Sequence, residues 1–363
     1  MEQLRIPGPT PLPDEVLEAM AQQMINHRGA AFAEIIHAVT EKTKKVFQTK
    51  NDIFLLTGSG TGGMEAAIVN IISPGDKVLS VANGVFADRF AIIARQFGAK
   101  VVSIAFEWGQ AADPEAVRQA LRKNPDIKAV LITYNETSTG VTNPLEEISK
   151  VVKEYDKLLV VDAISSLGSI NLPVDEWQCD IVITASQKGW MAPPGITMVS
   201  VSEAAWQAQA KATAPRFYWD FATAKNYLAK GQTPWTPAIT TIFAMAVSLD
   251  LLLKEGLPNV FARHALVGKT AREGIKSLGL GLFADEKYVS NTVTAITASG
   301  GLDIKSMQKM MREEHGIELA GGQSKLDGKI FRIGHLGWVT VEEINQVIAA
   351  LKVVLPKAGF RSS

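Results

Sequence analysis

The sequence predicts an α/β protein whose mainly parallel sheet is covered by helices on both faces, followed by a smaller α+β module. Three observations support this fold class. Short apolar runs alternate with helical patterns of about 10–15 residues over most of the chain, which is typical of βαβ units. The pattern changes after Gly256, where longer helical segments separate two strand-like runs. Hydrophobic residues make up 47% of the 363 residues and charged residues 20%, which indicates a globular protein with a large core.

The length and the change of pattern predict two domains and an N-terminal arm. At roughly 150 residues per domain, a chain of 363 residues corresponds to about two domains. We expect a proline-rich arm over residues 1–14, a large domain over residues 15–255 and a small C-terminal domain over residues 256–363.

The large domain is predicted to start with a helix over about residues 14–47 and to continue with seven strands. The strands correspond to apolar runs at residues 53–56, 77–81, 100–104, 129–133, 158–161, 181–184 and 196–201. Helical patterns lie between most of them, at residues 63–72, 86–97, 114–121 and 144–155. Because no long helix fits between residues 184 and 196, part of the sheet is expected to be antiparallel.

The apolar segment at residues 238–253 predicts a buried helix rather than a membrane span. It contains Asp250 and falls short of the roughly 18 uninterrupted apolar residues that a span requires. In the small domain we expect helices at residues 257–278, 303–315 and 341–355, and strands at residues 292–298 and 329–333.

Charge and cysteine content argue against several classes of protein. Lysine and arginine number 37, as do aspartate and glutamate, so the chain has no electrostatic footprint for nucleic acid or an anionic membrane. A single cysteine, Cys179, excludes an intramolecular disulfide and a multi-cysteine metal site, and no metal ion is expected. The first residues lack a basic start followed by an apolar run, so we expect a cytoplasmic protein without a secretory signal.

A glycine-rich segment follows the first predicted strand of the large domain and opens a helix. Gly58, Ser59, Gly60 and Thr61 combine close backbone approach with amide and hydroxyl donors, which favours a bound phosphate. With Gly63 the segment also satisfies the dinucleotide pattern G-x-G-x-x-G. That pattern requires an acidic residue at the end of the next strand, and none stands there. We therefore expect a phosphate site, with an NAD-dependent oxidoreductase as the weaker alternative.

Two strand ends carry charged side chains that suit pyridoxal-phosphate chemistry. Asp162 ends an apolar strand at the carboxyl edge of the sheet, where open α/β sheets bind ligands. Lys188 follows the next strand, where desolvation lowers the pKa of an amine and frees it as a nucleophile. Taken singly, Asp162 could be a helix cap and Lys188 a surface residue. Together with the phosphate loop they supply what pyridoxal 5'-phosphate (PLP) requires: a Schiff-base lysine, a partner for the ring nitrogen and a phosphate site.

The chain resembles the class V aminotransferases of PLP fold type I, most closely the alanine–glyoxylate and serine–glyoxylate group. The resemblance implies a large domain with a mainly parallel seven-stranded sheet flanked by helices, a smaller α+β C-terminal domain, and PLP as cofactor. The matching motifs lie in order over nearly the whole chain, at residues 7–10 (PGPT), 58–61 (GSGT), 136–140 (ETSTG), 161–168 (VDAISSLG), 186–188 (SQK), 192–195 (APPG) and 331–334 (FRIG).

Carried over position by position, the resemblance implies roles for individual residues. Lys188 is the Schiff-base lysine and Asp162 the partner of the pyridine nitrogen. Arg332 binds the substrate α-carboxylate near Gly8, unless it only braces the small domain. Thr236 corresponds to a residue that reaches the phosphate of the neighbouring subunit, which implies a homodimer with shared active sites. The other implied PLP contacts are Ser59, Gly60, Thr61 and Gln187 at the phosphate, Thr137 at the phenolic oxygen, Ile164, and Phe86, which either stacks on the ring or packs in the core.

The resemblance implies a ping-pong transfer of an amino group from alanine or serine to glyoxylate or a related 2-oxo acid. The amino donor stays open, because Arg28 is either a second anion contact or a surface residue. Cysteine desulfurases and lyases share the fold and are the nearer alternatives. Desulfuration requires a cysteine on a mobile loop, whereas Cys179 stands at the start of a predicted strand.

Overall fold

The computed structural model describes residues 3–361 and contains a seven-stranded sheet, a four-stranded sheet and a short hairpin. The strands are β1 (Gln3–Arg5), β2 (Asp52–Thr57), β3 (Lys77–Ala82), β4 (Lys100–Ala105), β5 (Ile127–Thr133), β6 (Asn135–Glu136), β7 (Val141–Thr142), β8 (Leu158–Asp162), β9 (Ile181–Ala185), β10 (Ile196–Val201), β11 (Val293–Thr297), β12 (Ile317–Gly321) and β13 (Ile330–Gly334). The helices are α1 (Asp14–Met20), α2 (Ala30–Phe47), α3 (Gly60–Ile71), α4 (Val85–Gln96), α5 (Pro114–Lys123), α6 (Leu145–Glu154), α7 (Glu203–Gln209), α8 (Phe221–Leu228), α9 (Ile239–Glu255), α10 (Leu257–Ser277), α11 (Ile304–His315) and α12 (Val341–Lys357).

The large sheet has the strand order β2-β10-β9-β8-β5-β3-β4. Its strands fall on the seven predicted apolar runs, and the mainly parallel sheet is confirmed. The one antiparallel strand is β10, which pairs with β2 on one side and β9 on the other. It follows β9 after a short connection without a helix, and a parallel neighbour would have required a longer crossover.

Helices cover both faces of the large sheet. Alternate strand residues point to opposite faces, so Leu159 and Val161 of β8 lie in one core cluster and Val160 lies in the other. The first cluster packs against α1, α2, α5, α6 and α9, and the second against α3, α4, α7 and α8. Because the sheet is buried on both sides, its strands are apolar at nearly every position, which is why they are recognisable in the sequence.

The smaller sheet has the order β1-β12-β13-β11 and packs against α10, α11 and α12. Its edge strand β1 comes from the N-terminal arm and pairs in parallel with β12, Gln3 facing Ile317. Buried Arg5 of β1 forms an ion pair with Glu343 of α12. The arm is therefore attached to the C-terminal part of the chain by strand pairing and by charge.

Several elements differ from the expectations, and β6, β7, α7 and α8 were not predicted. The predicted helix over residues 14–47 is wrong, because α1 ends at Met20 and α2 begins at Ala30. A turn in which the amide of Gly29 donates to the Asn26 carbonyl at 2.9 Å interrupts it. Strand β1 was not expected, because three residues are too few for a pattern to stand out. Strand β12 was not expected either, because its alternating pattern is too short to stand out: a single polar residue separates apolar Ile317 and Leu319.

The predicted buried helix at residues 238–253 is confirmed as α9, which packs against α1 and α2. Gly256 separates α9 from α10 with a φ of 84°, a conformation that favours glycine. The domain boundary at this position remains a prediction. Within residues 3–361, no helix combines the length and apolar character needed to cross a membrane.

Candidate active site

Most of the expected site residues meet at the carboxyl edge of the large sheet. Strands β2, β3, β5, β8 and β9 run in the same direction and end at this edge. The glycine-rich loop follows β2, Phe86 lies just after β3, and Thr137 lies after β5. Asp162 is the last residue of β8, and Lys188 lies three residues beyond β9. Parallel strands thus gather residues from distant parts of the sequence, as open α/β sheets do at their ligand sites.

Lys188 is enclosed between the sheet edge and the N-terminal arm. Its amine donates a hydrogen bond to the carbonyl of Pro7. A Cβ atom on Gly8 would lie 2.7 Å from Lys188 Nζ, and Gly8 has a φ of 99°, so only glycine fits there. Burial lowers the pKa of Lys188 to about 8, and the positive charge of Arg332 acts in the same direction. The amine is therefore far easier to deprotonate than that of an exposed lysine.

Asp162 is 3% exposed and has few hydrogen-bond partners. One carboxylate oxygen accepts from the amide of Ile164 at 3.0 Å, and the other from the Thr133 hydroxyl at 3.4 Å. Burial raises the pKa of Asp162 to about 7, and the nearby charge of Glu136 adds to this rise. A cationic partner at this carboxylate would lower that pKa again, so the group suits a site that receives a positive charge.

The glycine-rich loop forms an open, neutral cradle at the start of α3. Ser59 occupies the N-cap position, but its hydroxyl is not used to cap the helix, and both Ser59 and Thr61 are exposed. A Cβ atom on Gly60 would lie 2.4 Å from Cδ1 of Ile164, so this position has room only for glycine. Free amides at a helix N-terminus beside two exposed hydroxyls form a site that favours a phosphate.

Gln187 has a buried side-chain oxygen without a hydrogen-bond partner within residues 3–361. Buried polar atoms are almost always paired, and an unpaired one calls for an explanation. Gln187 directly precedes Lys188 in the chain. A polar ligand at this edge of the sheet would account for the unmatched group.

Arg332 of β13, in the four-stranded sheet, reaches Thr137, which lies after β5 of the seven-stranded sheet. It is 5% exposed; its Nε donates to the Gly321 carbonyl at 2.9 Å and its Nη1 to the Thr137 carbonyl at 3.1 Å. Nη1 also approaches the side-chain oxygen of Gln323 at 3.4 Å, and Nη2 has no hydrogen-bond partner within the described part of the chain. Burial lowers the pKa of Arg332 to about 10. The guanidinium is thus oriented by backbone carbonyls and retains a donor for an anion.

Thr137 lies in a buried hydroxyl network rather than standing free. Its hydroxyl donates to the Ser165 hydroxyl at 2.7 Å, which in turn donates to the carbonyl of Asn135 at 2.9 Å. The Asn135 amide donates to the hydroxyls of Ser165 and Thr292. The network therefore links Thr137 to Thr292, which lies just before β11 of the four-stranded sheet.

Two charged residues of this region were missed in the sequence. Glu136 is fully buried and accepts hydrogen bonds from the amides of Phe86, Ala87 and Ser138. Burial raises its pKa even though these donors favour the charged form. Glu136 thereby fixes the start of α4 and the ring of Phe86. It stood in the quoted motif at residues 136–140, but nothing in its neighbours indicated which amides it would bind.

The second missed residue is Arg89, one helical turn after Phe86 on α4. Its guanidinium lies 4.8 Å from the centre of the Phe86 ring, and its Nη1 donates to the hydroxyl of Thr61 at 3.2 Å. The spacing of Phe86 and Arg89 on a predicted helix is the signal that could have linked the two residues.

Thr236 and Arg28 make no hydrogen bond, within residues 3–361, to the residues gathered around Lys188. Thr236 is exposed, in the connection between α8 and α9. Arg28 donates to the carbonyls of Thr233 and Pro234, at 2.6 Å and 3.1 Å, and lies 5.2 Å from the ring centre of Tyr227. Its donors are thus used to hold the loop that leads to Thr236.

The model of the aminotransferase class-V family matches residues 4–335 of the chain. The chain belongs to this family. It is 44% identical to an uncharacterised aminotransferase of Methanocaldococcus jannaschii, over 98% of this chain and 93% of that protein. It is 43% identical to a protein of Anabaena cylindrica named soluble hydrogenase 42 kDa subunit, over 99% of this chain and 94% of that protein.

Several relatives and solved structures similar to this chain are named for glyoxylate, among them the two that follow. The serine–glyoxylate aminotransferase of Methylorubrum extorquens is 37% identical over 99% of this chain and 92% of its own length. The solved structure of the alanine–glyoxylate aminotransferase from Nostoc sp. has a TM-score of 0.94 and 31% identity, and the match covers 98% of this chain and 95% of that one. This class V aminotransferase therefore has the PLP fold type I expected for it, and its family typically uses PLP.

Proposed function

We propose that this class V aminotransferase binds PLP and transfers the amino group of alanine or serine to glyoxylate or a related 2-oxo acid. The observation that carries the proposal is the meeting of Lys188 and Asp162 at one sheet edge. A buried amine with a lowered pKa lies there with a buried carboxylate whose pKa is raised. Groups of opposite type with pKa values displaced in this way are typical of catalytic sites.

The described residues fit PLP. Gly60 leaves the space that a larger residue would fill, the hydroxyl of Ser59 has no hydrogen-bond partner within residues 3–361, that of Thr61 accepts only from Arg89, and buried Gln187 has an unmatched polar atom. These groups would hold the phosphate, with Phe86 against the ring and Thr137 near its phenolic oxygen. Ile164 packs on Gly60 and would support the same cradle. When bound, PLP supplies a ring that withdraws electrons from the carbon bearing the amino group.

The residues of the chain account for the proton movements of an amino transfer. Lys188 with a pKa of about 8 has a neutral fraction near pH 7.5, so it can accept a proton from the substrate α-carbon and return it to another atom. Asp162, as an anion, would keep a proton on the ring nitrogen. Its burial makes that pairing strong, because few other groups compete for the carboxylate.

Arg332 would select substrates that carry a carboxylate next to the reacting carbon. An amino acid and a 2-oxo acid share this group, so one guanidinium serves both halves of the reaction. Its planar fork matches a carboxylate in a way that lysine does not. The serine–glyoxylate and alanine–glyoxylate relatives support the choice of small substrates.

We also propose a homodimer with shared active sites, in which Thr236 reaches the phosphate site of the partner subunit. The exposed position of Thr236 agrees with this role, since its hydroxyl is available to a second chain. Arg28 would then act indirectly, by holding the loop at residues 232–234 in place.

A cysteine desulfurase is the alternative within the same fold, and the surroundings of Cys179 argue against it. The thiol is buried, and burial together with the charge of Asp180 raises its pKa, so it is not a ready nucleophile.

The test is the purified protein with PLP and a panel of amino acids. Wild type should absorb in the visible, borohydride should fix PLP to Lys188, and alanine or serine should change the spectrum faster than other amino acids. The Lys188→Ala variant should lose transfer entirely while keeping its fold. Lys128→Ala is the matched control, because Lys128 pairs with Asp76 near the opposite ends of the same strands. Full activity without Lys188, or borohydride labelling of another lysine, would contradict the assignment.

A further inference from the structure

Arg89 is a cation without an acidic partner at the phosphate side of the site. It is half-buried, and within residues 3–361 no carboxylate lies within 4.0 Å of its guanidinium. Its contacts are the face of the Phe86 ring and the hydroxyl of Thr61, both parts of the candidate cofactor site. A guanidinium without an ion pair, in contact with the candidate cofactor site, is a donor for an anion that binds there.

The glycine-rich loop carries no charge of its own. Gly58, Ser59, Gly60 and Thr61 offer amides and hydroxyls, and Gln187 offers a neutral amide. A phosphate monoester carries close to two negative charges at neutral pH. The helix N-terminus compensates only about half a charge. Of the charged side chains that the structure describes, Arg89 is the one that hydrogen-bonds to this loop.

The other charges of the site are already engaged. Lys188 and Asp162 belong to the reacting end of the cofactor, Arg332 is held by Gly321 and Thr137, and Glu136 accepts hydrogen bonds from the amides of Phe86 and Ala87. A phosphate at the glycine-rich loop therefore meets no hydrogen-bonded cation there unless Arg89 is counted.

We propose that Arg89 supplies the positive charge that holds the cofactor's phosphate at the loop of residues 58–61, an inference that rests on the proposed use of PLP. Its contact with Thr61 directs the guanidinium to the loop, and its position over Phe86 limits its movement. The competing explanation is mechanical: Arg89 would only join α4 to α3 through Phe86 and Thr61.

The experiment compares two ligands that differ only in the phosphate, PLP and pyridoxal, on apoprotein of wild type and Arg89→Met. Methionine retains the apolar contact with Phe86 and removes the charge. We expect PLP binding to weaken about 10- to 100-fold, as for the loss of a charge-assisted hydrogen bond, with pyridoxal binding unchanged. Inorganic phosphate should compete with PLP uptake by the wild type and much less in the variant. Arg89→Lys should recover part of the affinity, because the charge is kept.

The matched control is Arg95→Met, on the same helix, whose guanidinium is exposed and contacts Ser103. It should bind both ligands as the wild type does, and melting temperatures should report any loss of folding. Equal loss of PLP and pyridoxal affinity in Arg89→Met would overturn the charge role in favour of the mechanical one. Unchanged PLP affinity in that variant would overturn it as well. A wild-type apoprotein that takes up no PLP would instead overturn the proposed function, and this inference with it.

Discussion

Replacing Arg332 by lysine is the sharpest test of the substrate class. In the structure, Nε and Nη1 are engaged by the carbonyls of Gly321 and Thr137, at 2.9 Å and 3.1 Å, and Nη2 remains for an incoming carboxylate. A lysine has one terminal nitrogen, so it can satisfy either the carbonyls or the substrate but not both. The substitution therefore separates the anion-binding function from the mere presence of a positive charge.

The expected magnitude follows from the bonds lost. A charge-assisted hydrogen bond contributes about 1.5–3 kcal/mol. At about 1.4 kcal/mol for each factor of ten, kcat/KM should fall about 10- to 150-fold. Because the amino acid and glyoxylate both carry the carboxylate, both specificity constants should fall together. The spectrum of the bound cofactor should stay unchanged, since Arg332 is assigned to the substrate rather than to the ring.

Arg272→Lys is the control for structural effects. Arg272 is also buried in part and donates to the Ser290 carbonyl at 2.8 Å and to the side chain of Asn291 at 3.3 Å, away from Lys188. Both variants should melt a few degrees lower, but only Arg332→Lys should lose kcat/KM. If the two variants lose stability alike and neither loses kcat/KM for alanine or glyoxylate, Arg332 only braces the small domain and the reasoning is refuted.

Two further predictions concern Asp162 and Thr236. The pKa of Asp162 is raised from 3.8 to about 7 in the folded protein. Between these two pH values the folded apoprotein therefore keeps a proton on Asp162 that the unfolded chain has released. The free energy of unfolding thus decreases as the pH rises from about 4 to about 7. The melting temperature of the Asp162→Asn variant, relative to that of the wild type, should therefore increase from pH 5 to pH 8. A constant difference in melting temperature would exclude the raised pKa. Amino transfer by this variant should slow more than its binding of PLP weakens. For Thr236, mixing Lys188→Ala chains with Thr236→Val chains should create mixed dimers in which one of the two sites is intact. These dimers should recover activity that neither variant has alone. An active monomer in sedimentation would rule out the shared site.

The strands and the two charged strand ends were predictable because each leaves a strong local pattern. A central strand of a doubly covered sheet is apolar throughout, as at residues 158–161, so a charge at its end stands out as Asp162 does. Lys188 could be recognised for the same reason, three residues after β9. The parallel arrangement then implied that these ends would share an edge.

The remainder depended on contacts between distant segments. The partners of Glu136 are amides of Phe86 and Ala87, which belong to another strand–helix connection. Likewise, the carbonyls that engage Arg332 come from Gly321 and Thr137, and no local pattern links them. Arg28 illustrates the same limit, because its hydrogen-bond partners lie on a loop about two hundred residues away in the sequence. The sequence alone could therefore not decide between an anion contact and a surface residue.

The pairing of β1 with β12 has a consequence for the order in which a new molecule is completed. Gln3 is translated about three hundred residues before its partner Ile317. Pro7 and Gly8, which enclose Lys188, follow β1 directly, so the surroundings of the lysine are finished only after translation has passed β12. An incomplete chain holding the entire large sheet would contain Lys188 and Asp162 but leave the amine open to water. Enclosure of the lysine thus depends on a chain translated past Ile317.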